Sequence, residues 1–427
     1  MVRCEKYTSE EFYEICKTVM LKASLLKRFY ASFCNFFGYT YMIKQELDVL
    51  NDCMGKMKTV DCPKRRINKS QLYKLLNYHS NAPMPKSGKI VCQILIGTQP
   101  VDWNNDNCDY YPVVFKIHHA VSDGIALLKT FVAVIADKLE VSEDPINSLK
   151  SFKQEKEDLF VNNQLKMFIN GLEKLKMFLL IITLYPSLAV AYFTYKANDT
   201  NILHNTSLKQ QTLIGINAEK STNCIQPPQY ITIAIPINVN AAELPSLRPG
   251  DVTIDDMNLS NSYSLVLLRL PIAVGNDKKS EFPANSQVIK RVKLINQEID
   301  ILKNSFEYQI NLFFMQVVCA IFPQFFIKLI LDRMHCTTVA SIFAGPPKMT
   351  YDNRKLVLTD IIAWIAHMHN TGTSLGIITY DDRLHVAVNV DKALISDQND
   401  VQRIADDIYK YLDILEKEVE AYSTGDL

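Results

Sequence analysis

His118, His119, Asp123 and Gly124 stand in the run His118-His119-Ala120-Val121-Ser122-Asp123-Gly124, the stretch of this chain best equipped for chemistry. An imidazole is the one side chain whose ordinary pKa lies near neutrality, so a histidine fixed at a strand end can take a proton from a hydroxyl and later return it. The apolar run 111–117 reads as a buried strand, and Ile125-Ala126-Leu127-Leu128 reads as the beginning of a helix. A strand thus delivers two histidines to a turn. If Gly124 bends the chain, Asp123 leaves the strand face and its carboxylate folds back to brace the loop, so the spacing suits one base and one structural acid. Strand alternation points His118 and His119 to opposite faces.

The same seven residues resemble the HHxxxDG motif of the CoA-dependent acyltransferase superfamily, and Ala120 after the second histidine is similar to the wax ester synthase/diacylglycerol acyltransferase family. Further segments agree in order. Pro83 to Lys89 with the strand-like Ile90 to Ile96 resembles the loop and strand before the histidine strand, without the usual Leu-Trp. Asn261 with Leu270-Pro271 resembles the family's Asn and Leu-Pro segment. Ser341 to Pro346 is similar to its Ser-Asn-Val-Pro-Gly-Pro turn, with Ile342 in place of Asn. Leu375 to Asp382 and Val388 to Asp391 are similar to its C-terminal hairpin and the Asp that follows.

The resemblance implies an α/β fold of two chloramphenicol-acetyltransferase-like halves with mixed sheets and a channel between them, residues 1–150 and 211–427, joined by a crossover at 151–210. It also implies that His119 is the general base for attack of an acceptor hydroxyl on an acyl-CoA thioester. His118 stands beside it as the poorer base. Asp123 pairs with an arginine to hold the turn, and Gly124 lets the backbone approach the channel. Acyl-CoA enters as a co-substrate, with no further cofactor. The expected acceptor is diacylglycerol or a fatty alcohol, giving triacylglycerol or wax ester. Ser341 and Thr379 are candidate hydroxyl donors to the oxyanion. The family's Asn-Asp pair is missing between Leu213 and Tyr230, where Ile214 to Lys220 and Pro227-Pro228 stand instead. That gap admits an alternative, a catalytically silent lipid- or partner-binding homologue.

Composition bounds these readings. At 427 residues with 48% apolar side chains, the chain exceeds the size of one growing core and can fill two. The formal net charge is zero, and Lys64-Arg65-Arg66 is the only short basic cluster of note, so a nucleic-acid surface is not expected. The ten cysteines show no CxxC spacing, which argues against a zinc knuckle or redox pair and for reduced thiols on a cytosolic face. His367-Met368-His369 aligns two imidazoles only if the segment is a strand, with no third ligand nearby, so no metal is expected. The start of the chain lacks an apolar signal core.

The 19 residues from Met177 to Tyr195 carry no charge and are flanked by Lys174, Lys176 and Lys196. A bilayer needs about 20 residues of helix, so this segment predicts a membrane-associated protein, at the endoplasmic reticulum with its active site toward the cytosol. Leu312 to Ile327 is shorter and interrupted at Pro323, and reads as a core helix. The remaining periodicities predict helices over Ser9 to Phe37, Lys69 to His79, Ile125 to Leu139, Val288 to Phe306 and Val401 to Val419. They predict strands over Ile90 to Gly97, Tyr111 to His118, Tyr230 to Pro236, Ser264 to Leu270, Thr338 to Phe343 and Leu375 to Tyr380. With the helix-like stretch beginning at Ser9, the first strand of the usual fold is expected to be lost.

Overall fold

In a computed structural model, the chain is described over residues 1–140, 211–215, 230–238, 259–271 and 287–424, apart from short breaks. The crossover 151–210, with its apolar segment, and most of the shortened stretch 214–229 lie outside the described residues. The first part runs β1 (Val2–Cys4), α1 (Ser9–Ala23), a 3-10 turn (Lys27–Tyr30), β2 (Ala31–Phe36), β3 (Tyr39–Lys44), β4 (Met54–Lys56), α2 (Lys69–Asn81), β5 (Cys92–Ile96), β6 (Asp109–Tyr111), β7 (Val113–Ile117), α3 (Gly124–Thr130) and β8 (Lys138–Glu140). The second part runs β9 (Thr212–Gly215), β10 (Tyr230–Asn238), β11 (Tyr263–Pro271), α4 (Gln287–Lys303), α5 (Glu307–Phe313), α6 (Gln324–Leu331), β12 (Thr338–Ala344), β13 (Lys348–Tyr351), β14 (Leu356–Leu358), β15 (Thr373–Tyr380), β16 (Arg383–Asp391) and α7 (Gln398–Thr424).

These elements make a mixed α/β fold. A six-stranded sheet has the order β11-β10-β12-β15-β16-β9, parallel at β10/β12 and β12/β15 and antiparallel elsewhere. A three-stranded sheet, β4-β5-β7, is parallel on one side and antiparallel on the other. A five-stranded antiparallel sheet, β6-β1-β14-β13-β8, draws strands from both ends of the chain.

The first strand, expected to be lost, is present. Val2–Cys4 is only three residues long but pairs on both edges, with Tyr111 and Leu358 opposite Val2, so backbone pairing from distant sequence stabilises what local propensity does not announce. The helix expected through Phe37 stops at Ala23, and the following residues form the β2–β3 hairpin. Pro112 splits the strand expected over 111–118. Lacking an N–H, it cannot continue one ladder, and the chain passes from β6 in the five-stranded sheet to β7 in the three-stranded one.

Local chemistry explains the helices. Asn68 and Gln71 close a reciprocal capping box at the start of α2, each side-chain oxygen accepting the other's backbone N–H at 2.9 Å. The buried face of α2, Leu72, Leu75 and Leu76, packs on Ile67, Val101 and Trp103. Each such side chain contributes about 1.5–3 kcal/mol. The terminal helix α7 seats Val401 and Ala405 on Leu213, Val388 and Val390 of β9 and β16. The helix expected over Ile125 to Leu139 is shorter: α3 ends at Thr130 and residues 138–140 form β8.

The core helix expected over Leu312 to Ile327 is a correction as well. The segment is helical in pieces, with a π turn at Phe314–Val318 and a break at Pro323, and its far end stands in solvent, Ile321 being 61% exposed and Phe325 56%. Pro323 interrupts the ladder because it has no N–H to donate. No helix among the described residues is long and apolar enough to cross a membrane.

Candidate active site

The histidine motif is built from a strand end, a tight turn and a capped helix. The His118 N–H donates to the Val91 carbonyl at 2.8 Å, extending the sheet contact one residue beyond β7, and the Val121 N–H donates back to the His118 carbonyl at 2.9 Å. Arg28 donates to the Val121 carbonyl at 3.2 Å. Asp123 is buried and caps α3, its Oδ1 accepting the Ala126 N–H at 2.9 Å. The carboxylate thus reaches forward to the helix that follows rather than back over the loop. The turn lies at residues 119–121, and Gly124 opens the helix after it. A Cβ on Gly124 would meet the Phe343 ring at 3.7 Å, ordinary contact, so space does not impose glycine there.

The two imidazoles, both beyond the end of β7, have different ring neighbours. His118 lies edge-on to Phe33 of β2 with centroids 4.4 Å apart, and its Nδ1 accepts the Ala120 N–H at 3.1 Å. Burial, and secondarily the neighbouring His119, hold its pKa below the ordinary value. A neutral His118 accepting at Nδ1 carries its proton on Nε2, a donor already committed in its other nitrogen to the turn. Both histidines reach solvent, and His119 turns toward Tyr263 of β11, with ring centroids 5.1 Å apart. Burial, then the charge of Asp123, raise the Tyr263 hydroxyl pKa, which keeps that hydroxyl a proton-bearing donor at neutral pH.

Residues from the second part of the chain complete the surroundings. The Asn261 Nδ2 donates to the His119 carbonyl at 2.9 Å, tying the motif's turn to the start of β11. Ile125 and Leu128 of α3 are buried with Ile378 of β15 and packed by Phe343 of β12, so the helix that carries the motif is seated on the six-stranded sheet. The Thr379 hydroxyl accepts the Gly345 N–H at 3.2 Å, and a Cβ on Gly345 would lie 1.9 Å from the Thr379 carbonyl oxygen. Glycine is obligatory in that turn. Ser341 is half-buried on β12.

The structure therefore gathers His118, His119, Asp123, Gly124 and Asn261. Tyr263, Arg28 and Phe33 are additions that single residues in the sequence did not signal; only the proximity of Tyr263 to Asn261 in sequence hinted at one of them. Arg65 and Arg66 are engaged by Asp109 at 2.5 and 2.9 Å. Among the described residues no group of three His, Cys, Asp or Glu side chains is placed to hold a metal ion, and His369 lies outside them.

Two solved structures share this fold. The wax ester synthase/diacylglycerol acyltransferase from Marinobacter aquaeolei VT8 superposes with a TM-score of 0.53 at 10% identity, covering 99% of this chain and 93% of that one. The TRI3 trichothecene 15-O-acetyltransferase from Fusarium sporotrichioides gives 0.50 at 9% identity, covering 98% and 88%. No curated protein matches in sequence. The fold, with a histidine strand-turn-helix seated against a mixed sheet, has the chloramphenicol-acetyltransferase-like α/β architecture of these two structures. Residues 259–416 match the family model described as the WS/DGAT C-terminal domain. That match lies in the second part of the chain.

Proposed function

We propose that the protein is a membrane-associated O-acyltransferase that moves a fatty acyl group from acyl-CoA to diacylglycerol or a long-chain alcohol, giving triacylglycerol or wax ester. The observation that carries this reading is the exposed His119 imidazole, held at the meeting of the motif and the C-terminal sheet by Asn261 and faced by Tyr263. His119 takes the proton of the acceptor hydroxyl as that oxygen attacks the thioester carbonyl. The tetrahedral intermediate then expels the CoA thiolate, which receives the same proton, leaving the ester and free CoA. The Tyr263 hydroxyl is the nearest candidate to donate to the oxyanion, alongside Ser341 and Thr379. His118, Asp123 and Gly124 hold the turn. The division of labour proposed is a motif-bearing half at 1–150 and a second half at 211–427, with the acyl donor and acceptor meeting in a channel between them. The expected setting is the endoplasmic reticulum membrane, the site facing cytosolic acyl-CoA.

The test is transfer of labelled palmitoyl group from palmitoyl-CoA to diacylglycerol or hexadecanol by membranes containing the protein, compared with His119→Ala at matched expression. Labelled triacylglycerol or wax ester should fall by about 100- to 10,000-fold in the variant. Absence of product with either acceptor, in a sample whose unfolding is cooperative, refutes the enzyme reading.

A further inference from the structure

The β2–β3 hairpin and the helical segment around Pro323 meet, and what they share is exposed apolar surface. Phe37 and Gly38 form the hairpin turn with φ of +48° and +79°, left-handed at both positions as a tight two-residue hairpin requires. The Gln324 N–H donates to the Gly38 carbonyl at 2.7 Å, and the Tyr39 hydroxyl donates to the Ile321 carbonyl at 2.7 Å. A Cβ on Gly38 would lie 3.2 Å from Pro323 Cβ, so the two segments are in close contact. On this locked base Phe37 is 83% exposed, and Phe36, Ile321, Phe325, Phe326 and Leu329 are exposed beside it. Phe36 and Phe37 lie edge to face at 4.5 Å, and Phe325 and Phe326 lie 4.3 Å apart. Contiguous apolar surface of this kind marks an interaction face, because scattered single residues do not require hydrogen bonds that hold two distant segments together.

Charge chooses the occupant. The patch is made of a hairpin turn and a helical segment. Neither segment contains an acidic residue: 31–44 carries Lys44 alone, and 308–331 carries Lys328 alone, both exposed. Exposed phenylalanines accompanied by Lys44 and Lys328 match a lipid surface bearing anionic headgroups, where rings enter the acyl boundary and lysines stay with phosphate. We infer that the Phe36–Phe37 hairpin tip and the Ile321–Leu329 segment together form a bilayer-docking surface for anionic membranes.

This inference deepens the membrane association in the proposed function by assigning it to a described surface, and it can fail while acyl transfer succeeds. The place of the surface adds a consequence: β2, which leads into the docked tip, carries Phe33, and the Phe33 ring lies against that of His118.

The experiment is flotation of the full chain with phosphatidylcholine vesicles, with and without phosphatidylserine, for the wild type and for Phe37→Asp/Phe326→Asp. Both side chains are exposed, so folding should persist, as a matched melting temperature will show. Wild-type binding should exceed that of the variant about tenfold or more and should strengthen with phosphatidylserine. Amide exchange in 31–44 and 319–331 should slow when vesicles are added. Equal binding by the folded variant, or unchanged exchange in both segments, overturns the assignment. A wild-type dimer that the variant converts to monomer, with vesicle binding unaltered, overturns it in favour of a second copy of the chain. Acyl-transfer activity measured on the same samples in detergent separates a failed docking surface from a failed enzyme reading.

Discussion

Replacing Asn261 by Ala tests whether the C-terminal half positions the base. Asn261 sits at the surface and donates one neutral hydrogen bond, from Nδ2 to the His119 carbonyl at 2.9 Å. Its loss should cost the fold about 1 kcal/mol, a melting shift of roughly 2–4 °C at most. The turn that presents His119 then keeps its link to Val91 and its cap at Asp123 but loses its tether to β11. If the lost bond is all that holds the productive orientation, about 1 kcal/mol reduces the competent population some fivefold. If the imidazole shifts by about 1 Å, the loss approaches 100-fold. Acyl transfer should therefore fall between about 5- and 100-fold, mainly in kcat, with the pH profile keeping its shape because the base itself remains. Steady-state kinetics across pH, beside thermal unfolding of the same preparation, provides the reading. Full activity in a folded Asn261→Ala protein, or a changed pH profile, refutes the idea that this bond acts by orienting His119.

Asp123→Ala removes the oxygen that caps α3 and strands the Ala126 N–H, so it should destabilise the protein by about 1–2 kcal/mol, read as a lower melting temperature. An unchanged melt would contradict the capping role. Stability should also fall as pH drops through the histidine range. Burial lowers the pKa of His79, with Lys58 and Lys116 adding to it, and burial lowers that of His367 against the opposing charge of Asp391. Above the ordinary value of 6.5 neither state is charged; below it the unfolded chain takes up protons that the folded imidazoles refuse, so the stability present above 6.5 is lost toward their depressed folded values. Melting measured from about pH 7.5 down to about 5.5 should decline, and a flat profile would contradict this.

Much of the site was legible because it is local. Histidines at a strand end, an Asp two residues past the turn and apolar residues at helical spacing are consecutive in sequence, and the capped helix α3 follows from them. The long helices α4 and α7 and the strands β10, β11, β12 and β15 were likewise carried by their own periodicity. What sequence reading missed depends on remote partners. β1 has three residues and no pattern of its own, and exists because Tyr111 and Leu358 flank it. The β2 residues Ala31 to Phe36 read in sequence as the end of a helix because apolar side chains fit either period over a short run. The exposed face around Phe325 was taken for core because apolar spacing shows that a face is covered, not by what. Tyr263 and Arg28 reach the motif only after the sheets have assembled.

The placement of β1 sets a schedule for folding. Val2–Cys4 takes its second edge partner from Leu356–Leu358, far downstream in the chain, and at about 5–20 residues per second the ribosome needs roughly 20–70 s to supply it. Through that interval β1 and β6 present an open edge, the kind of surface that pairs with other chains. The five-stranded sheet is thus begun first and closed late, with high contact order. Nascent chains arrested before Leu356 are the species expected to need chaperone shielding, and release of the last strand of the sheet is the event that ends the need.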